Sequence, residues 1–468
     1  MHIKITFLGA TKNVTGSRHL VEANGLKFLV DCGLYQERDL RARNWEQFFC
    51  PPADVDAVLL THAHLDHSGF IPRFVSGGFS NPIYCTAATA DITRIMLLDS
   101  ARIQEQDTEN KKRRHRREGR QGPHPEIPLY TEADVRSCFP LFSPVPYKYT
   151  TEIGEGVTFT LYDAGHVLGS EMIEVRVRQK GEERSLLFSG DIGRVNRPIL
   201  RNPTFFDEAD YIITESTYAD RVLPDPDEMM AKFIGVILET IEGGGNIVIP
   251  SFALERTQDI LYYLNKAIGA GQLPPLNVYL DSPMAVNITD IFERYAHLMD
   301  EETERLVRQK KSPFDFPGLH LVSSASDSRQ IEQMEEPAII IAGSGMCTGG
   351  RIKYHLISNI TRRESTILFV GYQAKGTLGR LIVDGAKEVR ILGKNYPVKA
   401  RVVQMNGFSS HADSIQLTRW LYNLKRAPRH VFVVHGEEEA ANHLVETVRK
   451  DKGWTVTAPD YQNEFVLD

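Results

Sequence analysis

The stretch Ala57-Val58-Leu59-Leu60-Thr61-His62-Ala63-His64-Leu65-Asp66-His67 decides the fold. Its four apolar residues read as a short buried strand, and the polar string begins where such a strand would end. In an extended segment His62 and His64 point to one side, while Asp66 and His67 come round the turn toward a helix expected over residues 68–74. Imidazole and carboxylate donors at this density suit zinc. A set without thiolate is that of a catalytic zinc with an open coordination position. The bland alternative, one capping aspartate among solvated histidines, does not explain why four donors crowd one strand end.

Outward from this string, further donors follow other expected strands. His166 comes after the strand 157–162, Asp191 after 186–189, and His435 after 431–434. Each alone is an ordinary turn residue. Together they occupy equivalent strand ends, as the ligands of a two-metal site would.

The chain as a whole has 468 residues, enough for two or three compact units. It is 42% hydrophobic and 25% charged, with no apolar run long enough to span a bilayer. The start, Met1-His2-Ile3-Lys4-Ile5-Thr6-Phe7-Leu8-Gly9, lacks a basic segment followed by a long apolar one, so a cytoplasmic location without membrane contact is expected. Five cysteines (Cys32, Cys50, Cys85, Cys138 and Cys347) are odd in number and contain no C-x-x-C pair, which predicts reduced thiols. The net charge of −7 means that any polyanion must use a local basic patch.

From 210 to 396, apolar runs alternate with helical stretches (252–267, 284–298, 352–360), a β-α-β rhythm that predicts a mostly parallel sheet covered by helices. The first two hundred residues contain hairpin-like pairs, such as 157–162 with 173–177, and predict an antiparallel sheet with helices. Residues 104–128, rich in charge, Gly and Pro, read as an exposed helix end and loop.

In order, Asp31, His62-x-His64-x-Asp66-His67, His166 and Asp191 resemble the metallo-β-lactamase fold, and Glu215, His411 and His435 look like the extra motifs of its β-CASP subfamily. Asp281-Ser282-Pro283-Met284-Ala285, Gly343-Ser344-Gly345-Met346 and the segment Gly371 to Arg380 are similar to other family segments. The whole resembles bacterial and archaeal β-CASP ribonucleases and the nuclease subunit of the cleavage and polyadenylation factor. No KH-type extension and no ribonuclease J-type carboxy-terminal domain is read, which favours the compact endonuclease-like branch. The implied fold class is α/β: an αββα metallo-β-lactamase fold from residues 1–209 and 397–468, interrupted by an α/β β-CASP domain at 210–396.

The resemblance implies that His62, His64 and His166 hold one Zn2+ and Asp66, His67 and His435 a second, with Asp191 bridging and Asp31 orienting a histidine rather than binding metal. Two such metals would activate a hydroxide to attack phosphorus, leaving a 5′-phosphate and a 3′-hydroxyl. Asp66, Glu215 and His411 are the expected catalytic residues, with His411, in the flexible-looking segment Phe408 to Asp413, as proton donor to the leaving oxygen.

Backbone N–H groups near Ser344 and Gly345 are placed to hold a substrate phosphate, and Lys111 to Arg117 to grip phosphates away from the scissile bond. Phe252, Arg256 and Tyr372 read as core packing. The implied partner is single-stranded RNA, with a homodimer as an admissible assembly. The rival functions are a DNA-processing β-CASP nuclease, in which valine tends to replace His435, and a small-molecule metallohydrolase, which lacks the insertion and His411.

Overall fold

The computed structural model describes residues 2–120, 126–334 and 336–468. The chain forms two compact units: Met1–Arg197 with Arg201–Val222 and His411–Asp468, and Pro198–Leu200 with Leu223–Ser410. The sequence pattern puts these boundaries at 209/210 and 396/397. The structure gives local reasons for the different positions. Tyr211–Thr214 pairs with Glu182–Phe188 and His430–Val433 in the first unit, whereas Arg401–Gln404 pairs with Thr366–Phe369 in the second.

The first unit contains two seven-stranded sheets. One runs in the order Glu464–Leu467, Ile3–Phe7, His19–Ala23, Leu26–Val30, Ala57–Leu59, Ile83–Cys85, Phe142–Pro144. The other runs Val456–Thr457, His430–Val433, Tyr211–Thr214, Glu182–Phe188, Glu171–Gln179, Val157–Asp163, Thr150–Gly154. Alternate residues of both sheets, among them Phe7, Val21, Phe28, Phe159, Val175, Phe188 and Phe432, form one buried cluster between them. The opposite faces pack on helices through separate clusters: Leu29, Val58, Phe70 and Leu97 on one side, Ile212, Trp420, Val431 and Leu444 on the other. This is the expected αββα layering.

The expectation of an antiparallel sheet needs correction. Hairpins pair antiparallel at one end of each sheet, but Leu26–Val30 through Phe142–Pro144 and Glu182–Phe188 through Val456–Thr457 are parallel, because long connections rather than tight turns join those strands. The parallel pairs matter most for function. They align strand ends so that the turns after them share one edge.

Two other expectations change. The helix at 68–74 is two short ones, Leu65–Ser68 and Ile71–Ser76, with Pro72, which has no N–H to donate, in the first turn of the second. The exposed helix end and loop expected at 104–128 is helix for longer than that reading implies, through Glu118, in the 32-residue element Ala87–Glu118 that Gly119 ends in left-handed conformation. Residues 121–125 of that stretch lie outside the described residues.

The second unit is built on a six-stranded parallel sheet, ordered Leu319–Leu321, Asn277–Asp281, Ala338–Ala342, Ile247–Pro250, Thr366–Phe369, Arg401–Gln404, as the β-α-β rhythm predicts. No described helix is long and apolar enough to cross a membrane.

Candidate metal centre

Strand direction delivers the predicted donors to one edge of the first unit: the strands before His62, Asp191 and His435 have parallel neighbours, and the strand before His166 runs the same way as Glu182–Phe188 because two antiparallel pairings separate them. His62 lies just past Ala57–Leu59, and the single turn Leu65–Ser68 swings Asp66 and His67 back toward it. His166 sits in a tight loop after Val157–Asp163, where the Ser170 hydroxyl accepts from the backbone N–H of His166 (3.1 Å) and Val167 (3.2 Å). Asp191 follows Gly190, whose φ of +52° and a Cβ position 2.8 Å from Thr61 Cβ leave room for little but glycine. His435, also at positive φ, is anchored by its N–H to Ala10 O (2.7 Å).

Asp191 lies at the centre. Its Oδ2 is 3.4 Å from His62 Nε2 and 3.5 Å from His166 Nε2, while its Oδ1 is 3.4 Å from His67 Nε2 and 3.5 Å from His435 Nδ1. The carboxylate thus divides the histidines into two sets. His62, His64, His166 and Asp191 offer ligand atoms within 4.8 Å of one another, and so do Asp66, His67 and His435. Except for His64 and Asp66, these residues are at most 4% exposed.

The donors fit a cation better than they fit each other. His62 Nε2 and His64 Nδ1 are 3.0 Å apart, as are the Nε2 atoms of His67 and His435. In each pair only one nitrogen can present a proton to the other. Buried Asp191 Oδ1 and His166 Nδ1 have no hydrogen-bond partner among the described residues, and leaving such groups unmet costs about 1–3 kcal/mol each. Burial holds His62 and His166 well below the usual imidazole range and His64 at about 4, so all three keep neutral, coordinating nitrogens. Burial also opposes protonation of His67, but Asp191 and Asp31 outweigh it.

Asp31 belongs to no ligand group among the described residues. It accepts from the Thr61 backbone N–H (2.8 Å) and hydroxyl (3.0 Å) and pairs with His67 Nδ1 at 2.6 Å, which turns His67 Nε2 toward Asp191. Sequence reasoning missed Thr61 in this role and also Thr217, whose hydroxyl meets His435 Nδ1 at 3.1 Å. The signal was only their place beside motif residues.

Beside the ligands, Glu215 Oε1 accepts from the Ile192 N–H (2.5 Å) and Oε2 lies 3.0 Å from His411 Nδ1. Burial works against the charged imidazole, yet Glu215 and Asp191 raise His411 to about 9. Far from flexible, His411 is held by a bridge to Gly193 and by the Ala412 N–H to Ile192 O (2.7 Å). Glu215 also lies within reach of Asp191 and His435, so its distance alone does not separate it from the ligands; its bond to His411 does.

Ser344 and Gly345 are in the second unit, and both have local duties. The Ser344 hydroxyl accepts from the N–H of Thr348 (3.0 Å) and Gly349 (3.3 Å), and a Cβ on Gly345 would stand 2.8 Å from the Phe252 ring. The core reading of Phe252 and Tyr372 is corrected: they are 41% and 38% exposed, on turns at the carboxyl edge of the parallel sheet. Arg256 is mostly buried and donates to Val370 O.

Family models match along the chain: a metallo-beta-lactamase superfamily domain at 20–213, a Beta-Casp domain at 257–382, and a Zn-dependent metallo-hydrolase RNA specificity domain at 395–459. Ribonuclease TTHA0252 of Thermus thermophilus is 35% identical over 93% of this chain and 94% of its own. Transcription termination factor FttA of Methanocaldococcus jannaschii is 33% identical over 96% and 69%, and an RNase J-like protein of the same organism 30% over 96% and 96%. A crystal structure of a protein of unknown function from Enterococcus faecalis V583 shares the fold, with a TM-score of 0.57, 13% identity and full coverage of both chains. With its ligand cluster and this likeness over nearly its whole length, the chain belongs to the metallo-β-lactamase superfamily, in the β-CASP group of divalent-metal-binding, hydrolytic nucleases.

Proposed function

We propose that the chain is a zinc-dependent endoribonuclease that hydrolyses single-stranded RNA to 5′-phosphate and 3′-hydroxyl ends, using two zinc ions. The observation that carries this reading is the placement of Asp191 between two histidine sets with the Glu215–His411 pair adjoining it, 4.0 Å from Asp191 to His411 Nδ1. The ribonuclease names of relatives and the RNA specificity match at 395–459 support RNA as substrate.

His62, His64 and His166 would hold one metal, Asp66, His67 and His435 the other, and Asp191 both. Bound metal supplies Lewis-acid polarisation of the phosphate and lowers the pKa of water. The protein's own groups do the rest. Asp31 keeps His67 in one tautomer, with Nε2 inward. Asp66, whose side chain is 23% exposed, is the ligand carboxylate open enough to orient the attacking water. Glu215 engages His411 Nδ1, which leaves the transferable proton of the imidazolium on Nε2 for the departing oxygen.

The test uses one RNA sequence in end-labelled linear and in circular form. Cleavage of the circle, followed by labelling that finds 5′-phosphates, is expected. Degradation of the linear form with untouched circles would overturn the endonuclease reading.

A further inference from the structure

Arg18 and Arg43 stand out on the other face of the first sheet of this unit. Ser17 and His19 line the small cavity beneath Asp31, Thr61 and His67, while Arg18 between them points the opposite way, as strand alternation requires. Its guanidinium carbon lies 4.2 Å over the Phe70 ring and 5.0 Å over that of Tyr35. Arg43 shares Tyr35 at 5.4 Å and covers Tyr461 at 4.0 Å.

The aromatic platform beneath them is fixed in place. Buried Tyr35 lies on Gly16, where a Cβ would sit 2.7 Å from the ring, and its hydroxyl donates to Leu8 O at 3.0 Å.

Two cations on one aromatic ring need a counter-charge, and the described residues provide almost none. Neither arginine forms an ion pair among them. The Arg18 side chain makes no hydrogen bond there, and its buried Nε has no partner; the Arg43 side chain makes one long contact, 3.5 Å, to the Tyr35 hydroxyl. Glu46 lines the same pocket and accepts from the Tyr461 hydroxyl at 3.2 Å; its one negative charge faces two cations and forms no ion pair with either among the described residues, so the pocket keeps a net positive charge.

The rings hold the guanidinium groups in place yet leave most of their N–H donors without a partner among the described residues, and an oxyanion can take them. The pocket has about 50 Å³ of water-accessible space, room for roughly four waters at about 10–15 Å³ each, or for one phosphate. A base does not fit within it. Phe49, 45% exposed at the rim, offers a ring face for one.

We propose that this pocket binds one nucleotide, its phosphate between Arg18 and Arg43 and its base against Phe49, and that in the working enzyme the nucleotide belongs to RNA bound away from the metal centre. The last clause rests on the ribonuclease reading; the pocket itself does not.

Inorganic phosphate, 5′-AMP and a phosphorothioate single-stranded RNA that resists cleavage are titrated into the metal-loaded wild type, Arg18→Gln, Arg43→Gln and Phe49→Ala. Turnover of bis(p-nitrophenyl) phosphate and the unfolding midpoint serve as fold controls. RNA affinity should fall about tenfold in each arginine variant, and its log–log salt slope should shrink by about 0.7. AMP should weaken in all three variants, phosphate only in the arginine variants, and turnover should stay unchanged. Loss of AMP binding with RNA unaffected would assign the pocket to a free nucleotide and overturn the RNA clause. Unchanged affinity for all three ligands would overturn the proposal, as would a fall in turnover matching the loss of binding. If the enzyme cuts no RNA but the AMP result holds, the pocket stands and the ribonuclease reading falls.

Discussion

Asp191 and His411 lie 4.0 Å apart, yet their removal should have separable effects. Asp191 touches four histidines, so Asp191→Ala is expected to lose metal and activity together. His411 belongs to neither ligand set and pairs with Glu215, so His411→Ala should retain metal and bind RNA while cleavage falls about 10²–10⁴-fold. Metal content and single-turnover cleavage, measured on the same preparations, check this; loss of metal from His411→Ala would remove the proton-donor role. Asp31 offers a third contrast. At φ +63° it tolerates asparagine, and Asp31→Asn keeps the shape but weakens the hold on His67. Metal affinity should drop about 10–100-fold, read by competition with a chelating dye; unchanged affinity would make Asp31 a purely structural residue.

At the scale of elements, the helix Ala87–Glu118 poses the clearest energetic question. Thr86 caps its start by accepting from Thr89 N–H, and the buried Glu171 carboxylate accepts from Thr86 N–H at 2.9 Å. Nearly all its buried residues precede Arg102, so the distal half stands in solvent with Lys111, Lys112, Arg113, Arg114, Arg116 and Arg117 around its circumference. Cations in a last helical turn gain about 0.3–1 kcal/mol from the helix dipole, but this run begins a turn earlier. There Lys112–Arg116 and Arg113–Arg117 repel at i,i+4 by about 0.2–0.5 kcal/mol a pair. Only Arg113 has an ion-pair partner among the described residues, Glu109 at 3.2 Å. A polyanion removes this repulsion. Neutralising the six cations should flatten the salt dependence of single-stranded RNA binding, by about 0.7 in log–log slope for every phosphate that the helix no longer grips; an unaltered slope returns the run to a solvated surface. Composition points to an exposed helix end and a loop over 104–128 because Gly and Pro cluster downstream, and good helix formers over 104–118 carry the helix on to Glu118.

For the whole molecule, metal and protons act on stability. Metal that binds only the folded chain raises its stability by mass action, so chelation should lower the unfolding midpoint; the two donor sets predict that elemental analysis finds two zinc ions per chain. One tightly bound ion would contradict the two-metal reading. Acid should act in the same direction. Burial first, then His67 and His435, pulls the fully buried His19 down to about 3 from 6.5. Between those values the unfolded chain takes up a proton that the folded chain refuses. The share of stability that depends on His19 is therefore full above pH 6.5 and falls by about 1.4 kcal/mol per unit as pH drops toward 3. Urea unfolding at pH 7, 6 and 5 should show a slope at least this steep, and His19→Leu should reduce it by up to one proton; an equal slope in both would exclude His19 as a source.

The amino-acid sequence by itself determined the donors and the strands that carry them. His62, His64, Asp66, His67, His166, Asp191 and His435 were legible because each follows an apolar run, and short strands in layered sheets must end in turns where polar side chains meet solvent or metal. Three-dimensional packing alone decided the rest. Nothing in the order of residues shows that the two oxygens of Asp191 face different histidine pairs, since that depends on the parallel register of Glu182–Phe188 with Tyr211–Thr214 and of the latter with His430–Val433. Nor does sequence reveal that Arg18 and Arg43, 25 positions apart, share the ring of Tyr35. Local propensity acts over a few residues, whereas these meetings are set by sheet register and by which face each side chain is made to leave.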